Sequence, residues 1–162
     1  MEWIIILAGI AFWVILIIVK RYSYKKQEAE GILVDRPTRF AESGEEFTAK
    51  VGSVDELDKA ISGMLIPKGV SVQTAKNNES IRFDFISTYF AAVLYSKETN
   101  NDQGKSIYRF EFLKWKEGDF GYLSGDKMNA LLTSVEKTFM SIDPETRSTF
   151  YKMDFKIKTS LF

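Results

Sequence analysis

The sequence predicts an α+β protein: a single N-terminal transmembrane helix, then a two-layer domain of mostly antiparallel sheet with two helices on one face. Three observations lead there. Residues 3–19 form an uncharged apolar run. Several later segments alternate apolar and polar residues, the period of a half-buried strand. Two others repeat apolar residues at helical spacing between start and stop signals. The predicted division is a membrane anchor with its basic flank over 1–26, a polar linker over 27–44, and a soluble domain over 45–162.

The anchor reads WIIILAGIAFWVILIIV, Trp3 to Val19, with Ile10 and Trp13 near its middle. Twelve of these residues are Ile, Leu, Val or Phe. At roughly −0.3 to −0.6 kcal/mol each, they favour insertion by about −4 to −7 kcal/mol in sum. A buried helix of a globular protein would carry a polar stripe, and this run has none. A cleavable signal peptide would start basic and end in small residues; this run starts Met1-Glu2 and ends in KRYSYKK. Lys20, Arg21, Lys25 and Lys26 follow the span and only the α-amino group precedes it, so the positive-inside rule places the C-terminal side in the cytoplasm.

The linker is polar and punctuated (EAEG, DRPT, ESGEE), with Ile32-Leu33-Val34 as an edge strand, a docking segment or a sticky spot in the tether. Phe47, Ala49 and Val51 alternate as a short strand. Ser53-Val-Asp-Glu56 is a capping box. Val54, Leu57, Ala60, Ile61, Met64 and Leu65 then give a helix that Pro67 and Gly69 end. Val70–Ala75 and Ile81–Phe85 read as strands joined at Asn77-Asn78. Tyr89–Ser96 is β-prone, either a continuation of the previous strand or its partner. Residues 98–105 form a polar hairpin loop. Ile107–Lys116 carries Tyr108, Phe110 and Phe112 on one face, with Arg109 and Glu111 on the other. Met128, Leu131, Leu132, Val135, Phe139 and Ile142 stripe a second helix, which Pro144 follows. In the last strand Tyr151, Met153, Phe155 and Ile157 alternate with Lys152, Asp154, Lys156 and Lys158.

Composition excludes much chemistry. There is no His and no Cys, which removes Ser-His-Asp catalysis, thiolate nucleophiles, His- or Cys-ligated metals and disulfides. Residues 27–162 hold 18 basic and 21 acidic side chains, a weakly acidic balance that offers no footprint for nucleic acid. Catalysis would fall to carboxylates such as Asp84, Glu111, Asp119, Asp126 and Asp143. Each has a plainer role: Asp84 and Glu111 as solvated strand charges, Asp126 as a helix cap, Asp143 in a turn. The loop Glu98–Gly104 fails the EF-hand pattern, because Thr99 and Phe110 fall where ligating carboxylates belong. Gly118, Gly121 and Gly125 lack the order of a phosphate-binding loop.

The inventory therefore points to a cytoplasmic interaction module tethered to the bilayer, binding a protein partner or a neighbouring copy, with no cofactor. The expected interaction face carries Arg109, Glu111, Lys152, Asp154, Lys156 and Lys158. A domain that binds a lipid or small hydrophobe and an anchored carboxylate-dependent hydrolase are the alternatives.

Overall fold

The computed structural model describes residues 2–98, 104–118 and 121–153. Contacts divide the chain into two compact units, Met1–Asp35 and Arg36–Phe162.

The first unit is dominated by helix α1, Glu2–Ala29. With no Pro and no polar stripe inside the apolar run, nothing interrupts the backbone ladder. Ile6–Ala29 is long and apolar enough to cross a membrane. The helix does not stop at the basic flank but continues through it and through the first linker residues, Gln27–Ala29. Ser23 Oγ accepts from Gln27 at 3.3 Å one turn on. Gly31 ends the helix at φ 67°, a left-handed position that glycine adopts without a Cβ clash. The Ile32 amide then donates back to the Gln27 carbonyl at 2.8 Å. Ile32, Leu33 and Val34 form no strand.

The second unit opens with a short 3-10 turn, Phe40–Glu42, and then strand β1, Ser43–Ala49. β1 thus starts several residues before the Phe47 alternation, inside the stretch read as linker. Next come α2 (Val54–Gly63), β2 (Ser71–Lys76), β3 (Ile81–Ile86), β4 (Phe90–Glu98) and β5 (Ser106–Trp115). A two-residue ladder, β6 (Glu117–Gly118) with β7 (Gly121–Tyr122), leads to α3 (Gly125–Ile142) and β8 (Arg147–Lys152). Six strands form one sheet in the order β2-β3-β4-β5-β1-β8, every neighbouring pair antiparallel. β4 is a separate strand, turned back on β3 at Ser87, whose Oγ accepts from the Tyr89 and Phe90 amides.

The capping box at α2 forms: Ser53 Oγ accepts from the Glu56 amide at 3.1 Å, and Glu56 accepts from the Gly52 amide at 2.6 Å. Such a cap stabilises a helix start by about 1 kcal/mol. At α3 the cap position belongs to Ser124, while Asp126 sits in the first turn. There its charge meets the positive end of the helix dipole rather than closing the end by a hydrogen bond.

Alternation sorts the sheet into two faces. One bears Phe47, Phe83, Phe85, Phe90, Phe110 and Phe112, all fully buried with Phe139 of α3. Phe47 stacks on Phe139 with ring centres 4.6 Å apart, and Phe110 meets Phe112 edge-on at 5.1 Å. Leu57 and Ile61 of α2 and Met128, Leu131, Leu132 and Val135 of α3 close over the same face. The opposite face carries no helix of this unit.

Candidate functional site

The open face is organised around two tyrosines. Pairing registers place Arg82 beside Tyr95, Tyr95 beside Arg109, and Arg109 beside Glu46, across β3, β4, β5 and β1. On β8, Tyr151 pairs with Gly44. A Cβ at Gly44 would collide with the Tyr151 ring, so glycine lets the ring lie flat on the strand. The Arg109 guanidinium covers that ring at 4.6 Å from its centre. The Tyr151 and Tyr95 hydroxyls both donate to one oxygen of Glu111, at 2.5 and 3.0 Å. Arg109 and Lys97 share one oxygen of Glu46, at 2.9 and 3.0 Å.

These contacts bias the titration of the two tyrosines and of Glu46. Burial, then the Glu111 carboxylate, pushes both tyrosine hydroxyls up, so they remain donors. At Glu46 burial works upward, but hydrogen bonds from Lys97 and Arg109 outweigh it and hold the carboxyl below its usual range. The cluster is thus a rigid, half-buried arrangement of Tyr, Arg and carboxylate groups. At one end of the same face Ile86, Tyr89 and Leu113 add exposed apolar surface.

Of the face expected from sequence, Arg109 and Glu111 lie at this centre. Lys152 does not: it follows Tyr151 by one residue, pairs with Ser43, and so projects from the helix-bearing side. The alternation in β8 sorted burial as expected, with Tyr151 half-buried and Lys152 exposed, but the register turns the exposed side towards the helices and the tyrosine onto the open face. β8 is the edge strand, where the face towards the helices is left uncovered and Phe150 there is 59% exposed. Asp154, Lys156 and Lys158 lie outside the described residues. Trp3, Ile10, Trp13 and Val19, with Lys20, Arg21, Lys25 and Lys26, all fall on α1. Gly44, Tyr95 and Tyr151, with Arg82, Glu46 and Lys97 around them, are members the sequence reading did not assign to this face.

The acids proposed for catalysis are not brought together. Asp84 is gripped by its strand neighbour Arg82 at 2.8 Å. Glu111 is occupied by the tyrosines and lies two strands from Asp84, about 10 Å away, with Val93 between them. Asp143 accepts from the Lys50 and Glu145 amides at 2.8 and 2.9 Å, and these bonds hold its carboxyl low. Asp119 is outside the described residues. Among the described residues no group of three or more acidic side chains could hold a metal ion.

A different pair of acids meets inside the domain. Glu45, on the helix-bearing face of β1, is 1% exposed, and neither of its carboxyl oxygens has a hydrogen-bond partner. Glu136 approaches from α3, and Arg36 from the segment before the 3-10 turn. The Arg36 guanidinium donates to Asn129 Oδ1 at 2.9 Å, Thr133 Oγ at 3.3 Å and Glu136 Oε2 at 2.6 Å. Burial, then the Glu136 charge, pushes the Glu45 carboxyl up to about 8, against opposing pulls from Ser148 and Arg36. A shallow depression of about 400 Å³ at the β2–β3 turn is lined by polar side chains such as Lys76, Asn77, Arg82 and Ser96 together with Ala75, Ile81 and Tyr95.

No family model, curated protein or solved structure matches the chain.

Proposed function

We propose that the chain is a single-pass membrane protein whose folded domain faces the cytoplasm and binds a protein partner through the open face of its sheet. The observation that carries the reading is the Tyr151 cluster: a ring seated on Gly44, covered by Arg109 and fixed through Glu111, on a face that α2 and α3 leave open. Tyr and Arg are the residue types that dominate interface energetics, and a pre-set conformation lowers the ordering cost of binding. The apolar rim of Ile86, Tyr89 and Leu113 adds area to exclude water. Lys20, Arg21, Lys25 and Lys26, clustered after the span, support the cytoplasmic orientation.

The alternatives draw less support. A small hydrophobe needs an enclosed apolar cavity, whereas the layer between helices and sheet is filled by packed rings and the β2–β3 depression is shallow and open, with Lys76, Asn77 and Arg82 in its wall. Carboxylate hydrolysis needs an accessible pair of acids, and Glu45 is sealed from solvent.

The test uses the full-length protein purified from its own membranes with bound partners. Arg109→Ala combined with Tyr151→Ala should remove a partner that Lys59→Ala, on the exposed side of α2, retains. Loss of a hot-spot pair of this kind corresponds to roughly 2 kcal/mol or more, at least a thirty-fold weakening. Identical partners on both variants would refute the assignment of the face.

A further inference from the structure

Glu45 is the residue whose burial the sheet alone does not explain. It occupies a core-facing position of β1, two residues before Phe47, where every neighbouring strand places an aromatic or aliphatic side chain. Phe110 of β5 and Phe150 of β8 flank it in register, and Ser148 of β8 contributes a hydroxyl nearby. From α3 it faces Glu136, with Thr133 and Asn129 one and two turns earlier on that helix. From the entering chain it faces Arg36, whose side chain is only 5% exposed. The ionisable groups acting on Glu45 are therefore one acid, Glu136, and one base, Arg36.

Charge counting then fixes its state. Arg36 and Glu136 neutralise one another through a 2.6 Å contact. The remaining donors of Arg36 named above go to Asn129 and Thr133, not to Glu45. A charged Glu45 would leave a buried negative charge with only the Ser148 hydroxyl beside it as a donor and Arg36 already committed elsewhere, an arrangement that burial makes costly. Protonated, it becomes a neutral acid with one hydrogen to offer, and the adjacent Glu136 carboxylate is the acceptor at hand.

We propose that Glu45, Glu136 and Arg36 form a proton-operated latch fixing residues 36–42 to α3: closed while Glu45 holds its proton, loosened when that proton leaves to solvent. The segment it fastens carries Phe40, which meets Phe112 and Tyr122 edge-on at 5.9 and 5.6 Å, and the fully buried Ala41. It is the first stretch of the domain unit after the chain leaves residues 1–35. Opening the latch releases no bond in the sheet, so the response is local.

The sign follows from linkage. The folded-state value of Glu45 lies above the ordinary 4.5, so the closed state binds the proton more tightly than the unfolded chain does. The stabilisation is complete in acid and drains away as pH rises from 4.5 through about 8. Glu46 and Asp143 are shifted down and act on the acid side instead, losing their contribution as pH falls. With no histidine in the chain, no imidazole titrates in this window; the ordinary group that does is the α-amino terminus, outside the domain unit.

Amide hydrogen exchange on the full-length protein in lipid nanodiscs tests the latch, between about pH 6 and about pH 9 and corrected for intrinsic chemistry. Exchange in residues 36–42 should rise about ten-fold over that range, while β4 and β5 stay level. Glu45→Gln keeps shape and removes the titration, so its profile should be flat. Glu136→Gln removes the neighbouring charge and should move the transition to lower pH. A wild-type profile without a step overturns the proposal, as does a step shared equally by β4 and β5. So does a step retained in Glu45→Gln, or, where that variant does not fold, a midpoint that Glu136→Gln leaves in place.

Discussion

Replacing Phe139 by Ala should cost the domain about 3–5 kcal/mol of stability. The side chain is completely buried, lies parallel to Phe47 at 4.6 Å and meets Tyr108 at 5.2 Å. It is where α3 grips the adjacent strands β1 and β5, so truncation removes both ring contacts and leaves a cavity that the close-packed layer cannot readily close. Phe139→Leu retains most of the volume and should cost distinctly less. In a double cycle with Phe47→Ala the pair should show a coupling of about 0.5–1.5 kcal/mol. Denaturant unfolding followed by the fluorescence of Trp115, with Trp3 and Trp13 replaced, measures all four proteins. A loss below about 1 kcal/mol for Phe139→Ala would mean that α3 is held by something other than this stack.

The second large effect concerns α1. Ile10→Arg with Val14→Arg places two charges one turn apart in mid-span. Each costs about 3 kcal/mol, and together they offset most or all of the roughly −4 to −7 kcal/mol that the aliphatic and Phe residues supply. In vesicle flotation the doubly substituted chain should leave the lipid fraction, whereas Lys20→Arg, which keeps the flanking charge, should float normally. Equal flotation of all three proteins would show that α1 is not what holds the chain to lipid.

What the sequence made legible follows local physical rules. The α2 start was readable because Ser53 accepts from the Glu56 amide while the Glu56 carboxylate accepts from the Gly52 amide, a purely local device. β5 was readable because Tyr108, Phe110 and Phe112 alternate with Arg109 and Glu111 without interruption. The first half of β1 was hidden because Glu45 stands where the alternation wants an apolar residue. A carboxyl in a core position imitates a linker until its neighbours are known: Arg36 lies close by in sequence, but Glu136 on α3 is about ninety residues further along the chain. Asn129 and Thr133 fall outside the apolar stripe of α3, yet both are buried around Arg36.

The open face was half legible. Arg109 and Glu111 declared themselves as the polar half of an alternating strand. Tyr95 was lost inside an apolar run, and Tyr151 was read as core because an aromatic on an alternating strand usually is. Which face of an edge strand meets the helices depends on register and on how far the helices extend, and neither is written in the strand itself. Gly44 shows the same limit: its need to be glycine appears only when β8 brings the Tyr151 ring across it.

The account rests on a folded domain joined to lipid through α1 alone. A protease site inserted between Gly31 and Asp35 of the full-length protein in vesicles tests this most directly. Before cleavage the whole chain should remain with the bilayer through an alkaline carbonate wash. After cleavage the domain should pass into the supernatant in folded form while α1 stays behind. Release of the uncut chain by carbonate, or retention of the cut domain on the vesicles, would contradict it.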